Sequence, residues 1–135
     1  MKADVSNLGD LEMAVLEYVW QNGPSDIKEA HNQIGVERGI THNTVQSTFK
    51  RLWKKGLLSR SKQSHAHIYT ARVDRCQLTE LMVGQLVEQV AGHEPEVAIE
   101  AFVNFADNAG DETFAALEEL VAARRRSQNP KQGKS

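Results

Sequence analysis

The side chains best suited to act on another molecule lie between positions 41 and 55. Small polar groups come first, among them Asn43, Gln46 and Ser47, and cations follow from Lys50 onward. Amide and hydroxyl side chains can hydrogen-bond to base edges in the major groove of DNA. Cations suit phosphates, which position a protein on DNA without specifying its sequence. The pattern therefore predicts a surface that contacts bases at one end and the sugar-phosphate backbone at the other.

The charge of the surrounding sequence favours the same interpretation. The chain has a net charge of −2, yet residues 38–73 contain no Asp or Glu and eight Lys or Arg. Such an acid-free window is typical of a surface that faces a polyanion. The candidate DNA-binding residues are Thr41, Asn43, Thr44, Gln46, Ser47, Lys50, Arg51, Lys54, Arg60 and Lys62.

The hydrophobic spacing predicts three helices that would position these residues. Asp10, Ser25 and Thr41 are predicted N-caps, because their side chains can accept hydrogen bonds from the free N–H groups of a helix. Apolar residues at helical spacing follow each of them. Residues 35–40 are predicted to be a turn-rich connector with two glycines, and Gly56 is expected to end the third helix.

The inward side of the third helix is predicted from its apolar residues. Val45, Leu52 and Trp53 share that side, together with either Phe49 or Thr48. Trp53, and Trp20 on the first helix, are expected to be core residues rather than platforms on which another group stacks.

After Gly56 the pattern changes from helical to extended. Residues 57–60 and 67–70 are predicted to form a hairpin around a polar, basic tip, residues 61–66. Three helices followed by a hairpin is the order of a winged helix-turn-helix domain. We expect the tip to lie along the DNA backbone or over the minor groove.

The second half of the chain is predicted to be helical. Asp74 and Gln77 have the spacing of a capping box, and breaks at residues 91–95 and 108–110 leave one longer and two shorter helices. Helices of this size cannot bury so many apolar residues by themselves, whereas a second copy would cover them. The candidate dimer surface consists of Leu81, Leu86, Val90, Phe102, Phe105, Phe114, Leu117 and Leu120.

These elements predict a mostly α-helical protein with a small β-wing. A winged helix-turn-helix DNA-binding domain is expected over residues 1–73, a helical dimerisation region over residues 74–126, and a disordered tail over residues 127–135. Residues 1–72 hold 10 Lys or Arg against 7 Asp or Glu, whereas residues 73–135 hold 6 against 11. The basic half suits nucleic acid, and the acidic half suits another protein surface.

Composition disfavours several other classes of protein. The single Cys76 cannot form an intrachain disulfide, and neither a membrane-spanning run nor a signal-peptide core is present, which favours a cytoplasmic protein without a membrane partner. His65 and His67 would share one face of a strand, but a metal site needs three or four converging ligands. With no nucleophile or phosphate-binding motif, neither an enzyme nor a cofactor is expected.

Three segments resemble the penicillinase-repressor family, which includes the methicillin-resistance and copper-transport repressors. Residues 8–20 are similar to its first helix, residues 44–58 to its most distinctive segment, and residues 66–69 to its second wing strand. The resemblance covers residues 7–124 and is stronger in the DNA-binding half. The sequence departs from the family pattern at two places. Arg or Tyr is frequent in the family where this chain has Gln46, and Gly-Arg is frequent where it has Ser64-His65.

The resemblance implies a homodimeric bacterial repressor with residues 41–55 as its recognition helix. The residues that it implies to face DNA are Asn43, Thr44, Gln46, Ser47 and Arg51. In β-lactam-responsive members, derepression follows cleavage of an Asn-Phe bond in the dimerisation region, and Asn104-Phe105 is similar to that bond. This similarity implies a regulatory protease and an antibiotic response, whereas the alternative is that Phe105 is a core residue and Asn104 a surface one. The cysteine cluster of the copper-responsive members is absent.

The sequence therefore predicts a dimeric transcriptional repressor that binds an inverted-repeat operator in double-stranded DNA. The alternative is a winged-helix protein–protein interaction module without sequence-specific DNA binding. The acid-free window disfavours that alternative, because a neutral wing would serve such a module equally well.

Overall fold

The computed structural model describes residues 3–92 and 94–128. The chain forms two compact units, of which the first ends at Leu86 and the second begins at Val87. The elements are, in chain order, α1 (Asp10–Asn22), α2 (Ile27–Ala30), a π-helical turn (His31–Gly35), α3 (Val36–Arg38), α4 (His42–Lys54), β1 (Leu58–Gln63), β2 (Ala66–Ala71), α5 (Arg75–Leu86), a second π-helical turn (Val87–Ala91), α6 (Pro95–Ala109) and α7 (Asp111–Gln128). This is a mostly helical protein with one small antiparallel sheet, and the predicted fold class is confirmed.

The core of the first unit forms where α1, α4 and the hairpin meet. Leu16 of α1 and Leu52 of α4 are fully buried, and the ring of Phe49 lies 4.9 Å from the ring of Tyr69 on β2. Phe49 and Thr48 are both buried. Thr48 is tolerated there because its hydroxyl donates to the backbone oxygen of Thr44 at 2.8 Å.

Strands β1 and β2 pair from Leu58 opposite Ala71 to Gln63 opposite Ala66. The strands therefore extend further than predicted, and the tip shortens to Ser64 and His65. The hairpin also forms a bridge on its other edge. The Tyr69 N–H donates to the Ser25 carbonyl oxygen at 2.8 Å, and the Ser25 N–H donates to the Tyr69 carbonyl oxygen at 2.9 Å.

Two helix starts differ from the prediction. Gly9 rather than Asp10 is the N-cap of α1, and its N–H donates to the Glu12 carboxylate at 3.0 Å. The predicted N-cap Ser25 is wrong, because Asp26 accepts from the first turn of α2 instead. The backbone of Ser25 pairs with Tyr69 of β2. Helix α2 therefore begins one residue later than predicted, at Ile27, with Asp26 as its N-cap.

The connector predicted over residues 35–40 is wrong for most of its length. The helix that begins at Ile27 continues through the π-helical turn into α3 and ends only at Arg38. Gly39, with φ +69°, then turns the chain toward α4. A left-handed residue of this kind is what a helix end requires, and glycine adopts it without steric cost.

The breaks between the helices after the hairpin lie where predicted, but the expected order of lengths is wrong, because α7 has 18 residues, α6 has 15 and α5 has 12. Asp74 and Gln77 form the expected reciprocal capping box, and Leu78 of α5 is buried in the core of the first unit. In the second unit α6 packs against α7. The predicted disordered tail is wrong at residues 127 and 128, because α7 continues to Gln128, and residues 129–135 lie outside the described residues.

Candidate nucleic-acid interface

Helix α4 is held by its own ends and by its buried side. The Thr41 hydroxyl accepts the Thr44 N–H at 3.2 Å, which confirms the predicted N-cap, and Gly56 with φ +80° lets the chain turn away into β1. Val45 and Leu52 anchor the inner face in the core. The opposite face of the helix therefore points to solvent in a fixed orientation.

The outer face of α4 carries most of the candidate DNA-binding residues. Seven lie on α4, Thr41 caps it, and Arg60 and Lys62 lie on β1. Arg60 is half-buried, and the others are exposed: Thr41, Asn43, Thr44, Gln46, Ser47, Lys50, Arg51, Lys54 and Lys62. The fold thus places eight of them on one capped helix and two on the adjacent hairpin.

The polar residues at the start of α4 differ in how their side chains are used. Thr41 and Thr44 hydrogen-bond to each other through their hydroxyls at 3.0 Å. Within residues 3–92 and 94–128, no intramolecular hydrogen bond uses the side chains of Asn43, Gln46 or Ser47. These three groups can therefore hydrogen-bond outward, as contact with base edges requires.

The cations around α4 face solvent, except for Lys55 and the half-buried Arg60. Three ion pairs form in the part of the chain that the structure describes, and Lys55 is the one cation of the acid-free window that takes part. The Arg51 guanidinium donates to the Thr48 hydroxyl at 3.3 Å and so is steadied along the helix without being neutralised. Lys50, Lys54 and Lys62 are exposed. Together these cations give the outer face a positive potential.

Lys55 serves the interior rather than the outer face. Its ammonium lies 2.9 Å from the Glu12 carboxylate and 3.1 Å from the Ser6 carbonyl oxygen, to which it also donates. Burial favours a higher pKa for the Glu12 carboxyl, but the hydrogen bonds from Lys55 and the Gly9 N–H, with nearby positive charge, outweigh burial and lower that pKa below 4.5. Sequence reasoning missed this pair, whose members lie far apart in the chain.

Arg60 packs against α4 instead of extending from the hairpin. Its guanidinium carbon lies 3.5 Å from the centre of the Trp53 ring, and a terminal nitrogen lies 3.5 Å from the Tyr69 hydroxyl. Trp53 packs on the core as predicted, but the expectation that no group stacks on it is wrong, because the Arg60 cation lies over its ring. Trp20 has a similar contact, because the guanidinium carbon of Arg75 lies 4.9 Å from the centre of its ring. The stack joins the hairpin to the end of α4.

The candidate dimer surface contains the most exposed large apolar residues of the chain. Val90, Phe105 and Leu120 are each more than two-thirds exposed, Leu81, Leu86 and Phe102 are less so, and Phe114 and Leu117 are half-buried. Asn104 and Phe105 are both exposed and lie within α6.

The described residues form neither a metal site nor a membrane span. No group of three or more His, Cys, Asp or Glu side chains in residues 3–92 and 94–128 could hold a metal ion. None of the helices in these ranges has the length and apolar character needed to cross a membrane.

Comparison with known proteins gives a consistent result. The pattern of the family described as Penicillinase repressor matches residues 8–123. Transcriptional regulator BlaI of Mycobacterium tuberculosis, in strains CDC 1551 / Oshkosh and ATCC 25618 / H37Rv, is 30% identical over 122 residues, which cover 89% of this chain and 86% of that protein. Penicillinase repressor of Bacillus licheniformis is 23% identical over 77 residues, which cover 57% of this chain and 60% of that protein. The chain therefore belongs to the penicillinase-repressor family and is a transcriptional repressor rather than an enzyme.

Proposed function

We propose that the protein represses transcription as a homodimer in the bacterial cytoplasm, each copy placing α4 in the major groove of one half of an inverted-repeat operator. The observation that carries the proposal is the outer face of α4. Its polar side chains are exposed near the N-terminal end, its cations follow, and the window around it contains no acid. Base contacts at one end and phosphate contacts at the other would fix both register and sequence preference.

The hairpin supports this placement of α4. Lys62 is exposed near its tip, and the stack of Arg60 on Trp53 ties β1 to the last turn of α4. A wing held in this way would contact the DNA backbone while α4 occupies the groove. Arg60 would then act mainly through the position of the wing, whereas Lys62 would contact phosphate directly.

The homodimer is supported by the exposed apolar residues of the C-terminal helices. Phe105 and Leu120 are about two-thirds exposed in a single copy, and α7 has no buried residue within the described part of the chain. Apolar surface of this kind is typical of a protein–protein interface, and two-fold pairing is the most common form of self-association. A two-fold dimer requires an operator with two inverted half-sites.

Two experiments with the purified full chain test the proposal. The first recovers the DNA that the protein binds from the organism's own genome, and the second titrates the recovered site at several salt concentrations. If Lys50, Arg51, Lys54 and Lys62 of both copies contact phosphates, the slope of log affinity against log salt should be about −7, at about −0.9 for each contact. A flat response, or recovery of DNA without a common sequence, would contradict operator binding and favour the protein–protein interaction module.

Substitutions on α4 test which side chains specify sequence. Gln46→Ala and Asn43→Ala should relax base preference, at about 1–3 kcal/mol for each well-formed base contact. Lys54→Ala should instead weaken binding to all sequences alike. Equal, sequence-independent losses from all three variants would show that Asn43 and Gln46 do not contact bases.

The proposal for derepression is cleavage of the Asn104-Phe105 bond by a regulatory protease during an antibiotic response. Both residues are exposed, but they lie inside α6. A protease acts on extended backbone, so α6 would have to open locally before cleavage. Cleavage would separate α7 from α5 and remove part of the candidate dimer surface from each copy.

Cleavage is tested by exposing the native host to a cell-wall antibiotic and following the protein by immunoblot. Two fragments divided near Asn104 should appear before transcription rises, and Asn104→Asp should block both events. If transcription rises while the chain remains intact, the switch is not proteolytic.

A further inference from the structure

The start of α5 is tied to α1 by a small cluster of side chains outside the DNA-facing surface. The Trp20 indole N–H donates to the Val73 carbonyl oxygen at 2.8 Å. Two parallel hydrogen bonds run from the Arg75 guanidinium to the Glu17 carboxylate, one of them 2.6 Å long. The same guanidinium lies over the Trp20 ring. Glu17, Trp20 and Arg75 are called the latch below.

The latch acts where the chain leaves the winged helix. Leu78, one turn further along α5, is only 2% exposed and belongs to the core of the first unit. Two successive contacts, at Arg75 and at Leu78, therefore fix the direction of α5 as well as its position. Because α1 also packs against α4, the latch connects the direction of α5 to that of the recognition helix.

We propose that Glu17, Trp20 and Arg75 are positioning residues that set which spacing of operator half-sites the dimer accepts. The proposal rests on the proposed homodimer, because α5 carries Leu81 and Leu86 of the candidate dimer surface. If Leu81 and Leu86 pair with their counterparts in a second copy, the angle between α5 and α4 affects the distance between the two recognition helices.

The geometry makes operator spacing sensitive to this angle. Helix α5 has 12 residues, so its length is about 18 Å. A tilt of about 10° at its start would displace its far end by about 3 Å, close to the rise of one base pair, about 3.4 Å. The ion pair is exposed and adds little to the stability of the fold. Its effect is on orientation, which stability measurements do not report.

The first test measures the distance between the two wings without DNA. The full chain carries Cys76→Ala and Lys62→Cys, a spin label is attached at position 62, and pulsed electron paramagnetic resonance gives the distance distribution in the dimer. The distribution should be narrow with the latch intact and clearly broader with Glu17→Gln or Trp20→Phe. Glu29→Gln, which removes the same charge from an exposed position on α2, should leave it narrow.

The second test uses the recovered operator, with its half-sites moved apart or together by one base pair. Affinity with the latch intact should fall by about tenfold or more, because a misplaced second half-site forfeits part of the avidity of linked sites. With Glu17→Gln the fall should shrink to about threefold, while binding to a single half-site stays unchanged.

The outcomes separate the latch from the proposed function. If no signal between two wings is found at any concentration, the homodimer itself fails. If the dimer forms but the distribution is equally broad with and without the latch, or if Glu17→Gln keeps the full spacing preference and the narrow distribution, the latch proposal is overturned. Glu17→Gln decides the matter if Trp20→Phe does not fold, because Glu17 lies at the surface.

Discussion

The two ends of this chain differ in where they keep their apolar residues. In the winged helix, α1, α4 and the hairpin enclose large side chains such as Leu16, Phe49 and Tyr69 completely or nearly so. From Leu81 onward, by contrast, the described helices expose most of their large apolar residues and bury none of them completely. The first region has a core of its own, whereas the second leaves exposed the apolar surface that the proposed dimer would cover.

The two regions also differ in charge. Residues 38–73 contain no acid, and residues 76–123 contain no Lys or Arg. A positive surface attracts DNA, while a negative one is repelled by it. This difference supports the proposal that DNA binding belongs to the basic region and self-association to the acidic one.

The largest effect is expected from Phe105→Asp, which tests whether the exposed residues form the interface. Phe105 is 69% exposed in one copy, so the substitution should leave the helices intact but place a charge in the proposed dimer contact. Operator affinity should fall by about 10²-fold or more as the second half-site is lost, and light scattering should show a monomer. Val36→Asp, at a similarly exposed apolar position of the winged helix, should remain dimeric. If the Phe105→Asp variant remained a dimer, Phe105 would not be part of the dimer contact.

Two neighbouring lysines should separate stability from DNA binding. Lys55→Met leaves the buried Glu12 carboxylate without its cation, and the free energy of unfolding should fall by about 1–3 kcal/mol. Lys54→Met should change it by less than about 0.5 kcal/mol but make the salt slope shallower by about 0.9 for each copy. Chemical unfolding and salt titration measure the two effects. Equal unfolding midpoints for the two variants would show that the Glu12 pair does not stabilise the fold.

The same pair predicts how stability depends on pH. The pKa of Glu12 is lowered in the folded protein, so its contribution to stability is fully present above pH 4.5 and is lost as the pH falls through the folded-state pKa. Unfolding followed between about pH 5 and pH 3 should therefore show a smaller loss of stability for Glu12→Gln than for the unsubstituted chain. Parallel curves would assign the acid sensitivity to other carboxyls.

Local signals in the sequence predicted most helix boundaries. Thr41 caps α4 through a group three residues away, and the Asp74–Gln77 box spans the same distance. Such contacts form within one turn, so the order of residues is enough to reveal them. The prediction failed at Ser25 because a strand from another part of the chain captured its backbone.

The contacts that join elements could not be predicted in this way. Lys55 lies within the acid-free window like any other cation, and only the approach of α1 shows that it faces inward. Arg60 is a candidate DNA-binding residue by its type and position, and only the fold shows that its guanidinium stacks on Trp53. Residue types reveal that a surface is basic, whereas the fold decides which cations remain on it.

Substitutions of Arg60 and Lys62 should also separate fold stability from DNA binding, but with smaller effects than those at Lys55 and Lys54. Arg60→Ala removes the cation from Trp53, which should cost about 0.5–1 kcal/mol of unfolding free energy and change the tryptophan fluorescence. Lys62→Ala should leave both unchanged while weakening DNA binding in low salt, since its side chain is exposed. Loss of DNA affinity from Arg60→Ala with unchanged fluorescence would indicate a direct phosphate contact instead.

The smallest effect is expected at the turn of the hairpin, where Ser64 has φ +57°. A side chain in this left-handed region costs about 1–2 kcal/mol, and glycine avoids the cost but loses more conformational entropy on folding, about 0.5–1 kcal/mol. Ser64→Gly should therefore raise the free energy of unfolding by less than about 1 kcal/mol. His65→Gly, at the neighbouring turn position where φ is not positive, should lower it instead. The opposite order of the two variants would mean that the left-handed conformation of Ser64 does not strain the turn.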